Sequence, residues 1–159
     1  MNDTRDGWIL LLDDDLLVTQ SLGAFLKEES NWNVALFNRP GEALESLNRQ
    51  AYHAVISDFL MPEMDGIAFL GEVKRLQPTA SRILLTGYAD KANAIRSINE
   101  VGLYQYVEKP WDNEDLLMVL RNAIERSRMI EELDSRMRRL EETDRSLEEL
   151  RSRLLKAIL

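Results

Sequence analysis

Residues 9–17 read Ile9-Leu10-Leu11-Leu12-Asp13-Asp14-Asp15-Leu16-Leu17, four large aliphatic side chains followed directly by three carboxylates. An apolar run without polar alternation, bounded by Gly7 and the acids, reads as a strand covered on both faces, the signature of a parallel sheet. The acids then stand at that strand's carboxyl end. In open α/β sheets this edge is where ligands bind. One Asp is accounted for as the N-cap of a helix starting near Leu16, but three are not, so the block points to a site.

Outward from this stretch, strand-like runs alternate with amphipathic helical ones. Residues 34–37, 54–56, 83–85 and 104–107 read as four more strands, separated by helical patterns near 16–29, 40–49, 66–77 and 91–100. Five β-α units imply a doubly wound α/β fold around a parallel sheet. Pro40, Gly66 and Gly102 fall where turns or helix ends are needed, and residues 112–115, Asp-Asn-Glu-Asp, provide a cap and acidic first turn for the last helix. From about residue 112 to 159 there is neither Gly nor Pro, far beyond an ordinary globular helix.

Composition narrows the function. A chain of 159 residues with 45% hydrophobic composition holds one domain of ordinary size and an appendage. The division expected is a domain over 1–124 and a helical extension over 125–159. Without cysteine there is neither a disulfide framework nor a thiolate metal site, and no apolar run reaches membrane-spanning length. A soluble cytoplasmic protein is the expectation. Residues 125–159 hold nine acids and nine bases, so the net charge of −8 resides in residues 1–124. An acidic domain with scattered Arg and Lys is a poor direct ligand for nucleic-acid phosphates.

The other strands run into chemically similar ends. The third leads to Asp58 in "AVISDFLMPEMDG", the fourth to Thr86 in "RILLTGYAD", the fifth to Lys109-Pro110 in "YQYVEKPW". Parallel, adjacent strands would bring Asp13, Asp14, Asp58, Thr86 and Lys109 together. Clustered carboxylates raise one another's pKa unless cations hold them ionised, and Mg²⁺ with one lysine balances three of them. Mg²⁺ keeps room for phosphate oxygens in its octahedron, so Asp58 is expected as a nucleophile forming an acyl phosphate, with Lys109 and Thr86 on the transferred oxygens.

With these motifs in order, residues 7–124 resemble a receiver domain of a bacterial two-component response regulator. The resemblance rests on the acid pair after strand one, Asp58 followed by Met61-Pro62-Glu63-Met64-Asp65-Gly66, Thr86-Gly87, Tyr106, and Lys109-Pro110. It implies the flavodoxin-like strand order 2-1-3-4-5 and a cis Lys109-Pro110 bond. It implies phosphorylation of Asp58 by a sensor histidine kinase or phosphotransfer protein, Mg²⁺ held by Asp13, Asp14 and Asp58, pairing of Lys109 with the phosphoryl group, and a Thr86–Tyr106 switch. The family's phosphoryl-flanking positions fall on Leu60 and Tyr88, both bulky and neither able to position water, which implies a long-lived phosphorylated state. Asp15 is left to the helix start. Two other readings are a haloacid-dehalogenase-like phosphotransferase and an unphosphorylated pseudo-receiver. The first needs an acid two residues after the nucleophile, where Leu60 stands.

Of the remaining conspicuous residues, His53 is expected at the surface, Trp8 and Trp32 packing at strand starts, Trp111 covering the base of the last helix, and Met61 and Met64 in loop packing. Leu133, Leu140, Leu147 and Leu154 recur every seven residues, with Ile130, Met137 and Ile158 at the partner position. This heptad seam predicts a coiled coil, most simply a parallel homodimer with Arg136 facing Glu141 of the other chain. Asp144 and Arg151 fall at seam positions, and Leu147, Leu150 and Leu154 also fit a shifted frame. No output domain is recognisable, and the output is expected downstream or from a partner.

Overall fold

The computed structural model describes residues 7–87, 90, 92, 95 and 100–159. Five parallel strands, β1 (Trp8–Leu12), β2 (Asn33–Phe37), β3 (Ala54–Asp58), β4 (Ser81–Thr86) and β5 (Gln105–Glu108), form one sheet in the order β2-β1-β3-β4-β5. The helices are α1 (Leu16–Glu29), α2 (Pro40–Leu47), α3 (Gly66–Leu76) and α4 (Asn113–Ile158). This is the flavodoxin-like arrangement. The helical pattern expected near 91–100 lies largely outside the described residues.

The apolar run of β1 is explained by what covers it. Ile9 and Leu11 belong to a core shared with Leu22 and Leu26 of α1 and Leu116, Leu120 and Ile124 of α4. Leu10 and Leu12 belong to the opposite core, with Ala43 and Leu47 of α2 and Phe69, Leu70 and Val73 of α3. All four are fully buried. Helix and strand propensities of ordinary residues span no more than about 1 kcal/mol, whereas full burial of each side chain is worth about 1.5–3 kcal/mol, so tertiary packing decides the conformation.

Local signals place the helix starts. Asp15 caps α1 by accepting from Leu17 N at 2.9 Å, and Asp65 caps α3 by accepting from Ala68 N at 2.7 Å. Asp112 accepts from Glu114 N and Asp115 N at 2.9 and 3.1 Å ahead of α4. The α2 helix stops at Leu47, shorter than its pattern, because Asn48, Arg49 and Gln50 turn back onto the Glu45 and Ser46 carbonyls. Gly102 takes φ +58°, a left-handed conformation that glycine adopts without a Cβ penalty, just before β5.

His53 departs from its surface expectation. It is half-buried, and its Nδ1 accepts from Trp8 N at 3.0 Å, locking the start of β1 to the start of β3. Trp8 itself packs edge-on to Tyr52, and Trp32 is buried in the α1-side core.

The chain divides into two compact units, Met1–Ser127 and Arg128–Leu159. The second is helical as far as Ile158. Along it Leu133, Met137, Leu140, Leu147, Leu154 and Ile158 are exposed, each by more than half, while Ile130 is half-buried. Arg136 and Arg138 pair within the helix with Glu132 and Asp134 at 2.6 and 3.1 Å.

Candidate functional site

Strand order reverses between β1 and β3, the switch point at which an open α/β sheet leaves a crevice. Asp13 follows β1, and Asp58 ends β3. Beside them Thr86 ends β4, and Lys109 follows β5, its N–H donating to Thr86 O at 2.7 Å. The lysine Nζ lies 2.9 Å from Asp58 Oδ1 and 3.2 Å from Asp13 Oδ2. Asp13, Asp14 and Asp58 each offer a carboxylate oxygen, all within 4.8 Å of one another. The structure brings the side chains of Asp13, Asp14, Asp58 and Lys109 together, while Thr86 joins them through its backbone carbonyl.

Burial differentiates the three acids. Asp13 is fully buried and Asp58 nearly so, whereas Asp14 is exposed. Desolvation is the largest influence on both buried carboxyls and raises each above the ordinary carboxylate range, and each raises further against another acid. The Asp15 N–H and Lys109 pull Asp13 down, and Lys109 and the Phe59 N–H pull Asp58 down, without cancelling burial. Burial would lower the Lys109 ammonium, but Asp58 and Asp13 outweigh it and its pKa lies above the usual lysine value. One lysine therefore faces more negative charge than it neutralises. An all-oxygen donor set with this deficit fits a hard divalent cation, and the cluster can hold one.

The same imbalance has a sign in stability. A carboxyl raised in the folded state contributes stability below its unfolded pKa and loses it as pH rises through the folded value, so at neutral pH ionised Asp13 and Asp58 work against the fold. Asp58→Asn should therefore stabilise the metal-free protein at pH 7, read as a higher thermal midpoint. An unchanged or lower midpoint would mean that the cluster carries no such penalty.

The contacts that support Asp13 carried no recognisable signal in the sequence. Asn38, just past β2, donates its side-chain amide to Asp13 O at 2.9 Å and to Thr19 Oγ1 at 3.0 Å, tying the acid's backbone to α1. Both contacts are long-range in sequence, so no local pattern announces them. Gly66 was legible as punctuation and as the end of the motif after Asp58, but not as a packing constraint. A Cβ there would overlap the Asp58 carbonyl oxygen and approach its carbonyl carbon to 3.0 Å, so only glycine lets α3 start against the strand end. Gly66→Ala should cost about 1–3 kcal/mol in chemical denaturation, since backbone must shift to admit the methyl.

Thr86 is fully buried, and its Oγ1 has no hydrogen-bond partner among the described residues. Tyr106 stands on β5 opposite Leu84 of β4, two positions before the Thr86 pair, and packs half-buried on the α2–α3 side of the sheet. Leu60 is 61% exposed in the β3–α3 loop. Tyr88 lies outside the described residues. The Lys109-Pro110 bond is cis. Trp111 packs against the α1-side core, and Met61 and Met64 against the other.

Comparison with known proteins bears on the same residues. The family model described as "Response regulator receiver domain" matches residues 9–121. The hydrogenase transcriptional regulatory protein HoxA of Bradyrhizobium diazoefficiens is 30% identical over 129 residues, covering 81% of this chain and 26% of that protein. The transcriptional regulatory protein FixJ of the same organism is 31% identical over 121 residues, 76% of this chain and 58% of that one. A response regulator receiver domain protein from Clostridium thermocellum superposes with a TM-score of 0.72 at 31% identity, over 78% of this chain and 98% of its own. The chain spans about a quarter of the length of the HoxA and ZraR regulators it matches. Similarity in sequence as well as in fold, over most of the chain, leads to one conclusion: this protein belongs to the response regulator receiver domain family, the signalling phosphoacceptors of two-component systems.

Proposed function

We propose that Asp58 is the phosphoacceptor, receiving its phosphoryl group from a phosphohistidine on a sensor histidine kinase or phosphotransfer protein. The observation that carries this reading is the Asp58 carboxylate at the end of β3, 2.9 Å from Lys109 Nζ and within the oxygen cluster of Asp13 and Asp14. A carboxylate oxygen of Asp58 attacks phosphorus in line, the P–N bond breaks, and the imidazole leaves with the electron pair and takes up a proton. Lys109 holds the nucleophile before transfer and a phosphoryl oxygen after it. Asp13, Asp14 and Asp58 are the residues that would hold Mg²⁺, which when bound supplies positive charge to the phosphoryl oxygens. Incubation with a small phosphodonor, with and without Mg²⁺, followed by intact mass measurement tests the reading: one phosphate on Asp58, dependent on the metal, is expected.

Thr86 and Tyr106 form the switch in this reading. The unpartnered, buried Thr86 hydroxyl gains a partner by turning toward a phosphoryl oxygen, and the space it leaves favours an inward position of the Tyr106 ring on the neighbouring strand. The molecule acts as a signalling phosphoacceptor, catalysing only its own phosphorylation and dephosphorylation. Its place is the cytoplasm; no helix among the described residues is long and apolar enough to cross a membrane. Residues 1–124 serve as the receiver, and 125–159 as a coiled-coil linker joining two copies in parallel and passing the state to an output supplied downstream or by a partner. The acidic receiver does not itself bind nucleic acid.

Leu60 and Tyr88 flank the phosphoryl group in this reading and leave no carboxylate or amide to orient water. Leu60→Asn combined with Tyr88→Glu should speed loss of phosphate from the isolated protein by about tenfold or more, followed as the decay of the phosphorylated mass. A rate equal to wild type would show that these side chains do not control the lifetime.

A further inference from the structure

The apolar side chains of residues 130–158 do not follow one heptad frame. Ile130, Leu133, Met137 and Leu140 alternate as a, d, a, d. Continued, that frame puts Asp144 and Arg151 at a and consigns Leu150 to a flank, although Leu150 is 53% exposed and as available as its neighbours. A frame offset by three residues places Leu140, Leu147 and Leu154 at a, with Thr143, Leu150 and Ala157 at d, and moves both charges to the flanking e position. Run backwards, the second frame would bury Arg136. Each half of the segment therefore rejects the other's frame, because two like charges would face each other across a dry seam.

We infer that the partner of this helix is a second copy of the same chain, bound in parallel and in register through two heptad blocks, 130–140 and 140–157, offset by three residues. This rests on the coiled-coil reading above and specifies its geometry. Charges at the junction suit both blocks: Arg136, at g of the first, meets Glu141 of the partner just beyond that block, and Arg139, at g immediately ahead of the second, meets Asp144 at e of the partner. The α4 helix continues without interruption through the junction, so the offset is absorbed by local overwinding of the supercoil, the effect of a three-residue insertion. Thr143 suits the junction, since its hydroxyl already donates to Arg139 O at 2.9 Å and brings no unsatisfied polar atom into the seam. The offset also fixes register: a slip of one heptad would set the break in one chain against an unbroken block in the other.

The chain has no cysteine, so single introduced cysteines report without background. In the 159-residue chain, seam positions bring paired Cβ atoms toward disulfide distance and flanking positions hold them apart. With oxidised glutathione, Leu150→Cys should cross-link about tenfold faster than Arg151→Cys, Thr143→Cys faster than Asp144→Cys, and Met137→Cys faster than Arg136→Cys. Asp144→Cys and Arg151→Cys leave every leucine in place and report even where a leucine replacement weakens the pair. Fast cross-linking at those two positions would establish a single frame and overturn the inference. Dimers by light scattering that cross-link at none of the six positions would overturn the parallel arrangement alone, whereas a wild-type protein that scatters as a monomer would remove the coiled-coil reading with it.

Discussion

Asp58→Asn should lower stable phosphate incorporation at least about a hundredfold, because it removes the nucleophile while keeping the size and shape of the side chain. The geometry makes the expectation specific. Asp58 is the acid that ends β3, at the point where strand order reverses, and Lys109 Nζ lies 2.9 Å from its Oδ1. Asp13 is fully buried, with one oxygen accepting from Asp15 N at 2.9 Å and the other paired with Lys109 at 3.2 Å, so the acid is held in place and little exposed to an incoming phosphodonor. Asp14 is exposed, with no Lys109 contact holding it. An amide at position 58 cannot attack phosphorus, and a neighbouring acid would label slowly. Intact mass before and after exposure to a phosphodonor and Mg²⁺ measures the change. Labelling at the wild-type rate would assign the acceptor elsewhere in the cluster.

Leu140→Asp together with Leu147→Asp should convert a dimer to a monomer at micromolar concentration, with dissociation strengthened by at least about a thousandfold. Both leucines lie in the seam in either frame, and in the isolated chain they are 66% and 58% exposed, so the substitutions cost the single helix little. In a pair of helices each substitution sets two carboxylates against each other where two leucines were buried. Loss of one buried leucine is worth about 2–5 kcal/mol, and an unpaired carboxylate in the seam adds to that. Light scattering of both proteins, with and without beryllofluoride as a phosphoryl mimic, gives the answer. A wild-type protein that is monomeric in both conditions would take the coil out of signal transmission.

Much of this protein is legible residue by residue. The run Ile9–Leu12 announces a strand covered on both faces because no polar residue interrupts it, and Asp15 and Asp112 announce helix starts because capping is a matter of neighbours two or three residues away. Candidate site residues were legible for a related reason: an acid or lysine directly behind an apolar strand stands at an edge whatever the strand's neighbours. The shortening of α2, the hold of His53 on Trp8 and the hold of Asn38 on Asp13 were not, since each depends on turns or on partners far along the chain.

By itself, then, the sequence determined the parts: five apolar strands, their intervening helices, the chemistry at each strand end, and a long helix with leucines recurring every seven residues. Only the tertiary structure decided that Lys109 reaches Asp13 across 96 residues, that Gly66 must admit the Asp58 carbonyl, and that Asp13 is fully buried while Asp14 is exposed. Those outcomes depend on strand order and register, which are fixed by covering both sheet faces at once. Burial on that scale sums over the whole chain, and no short stretch carries it.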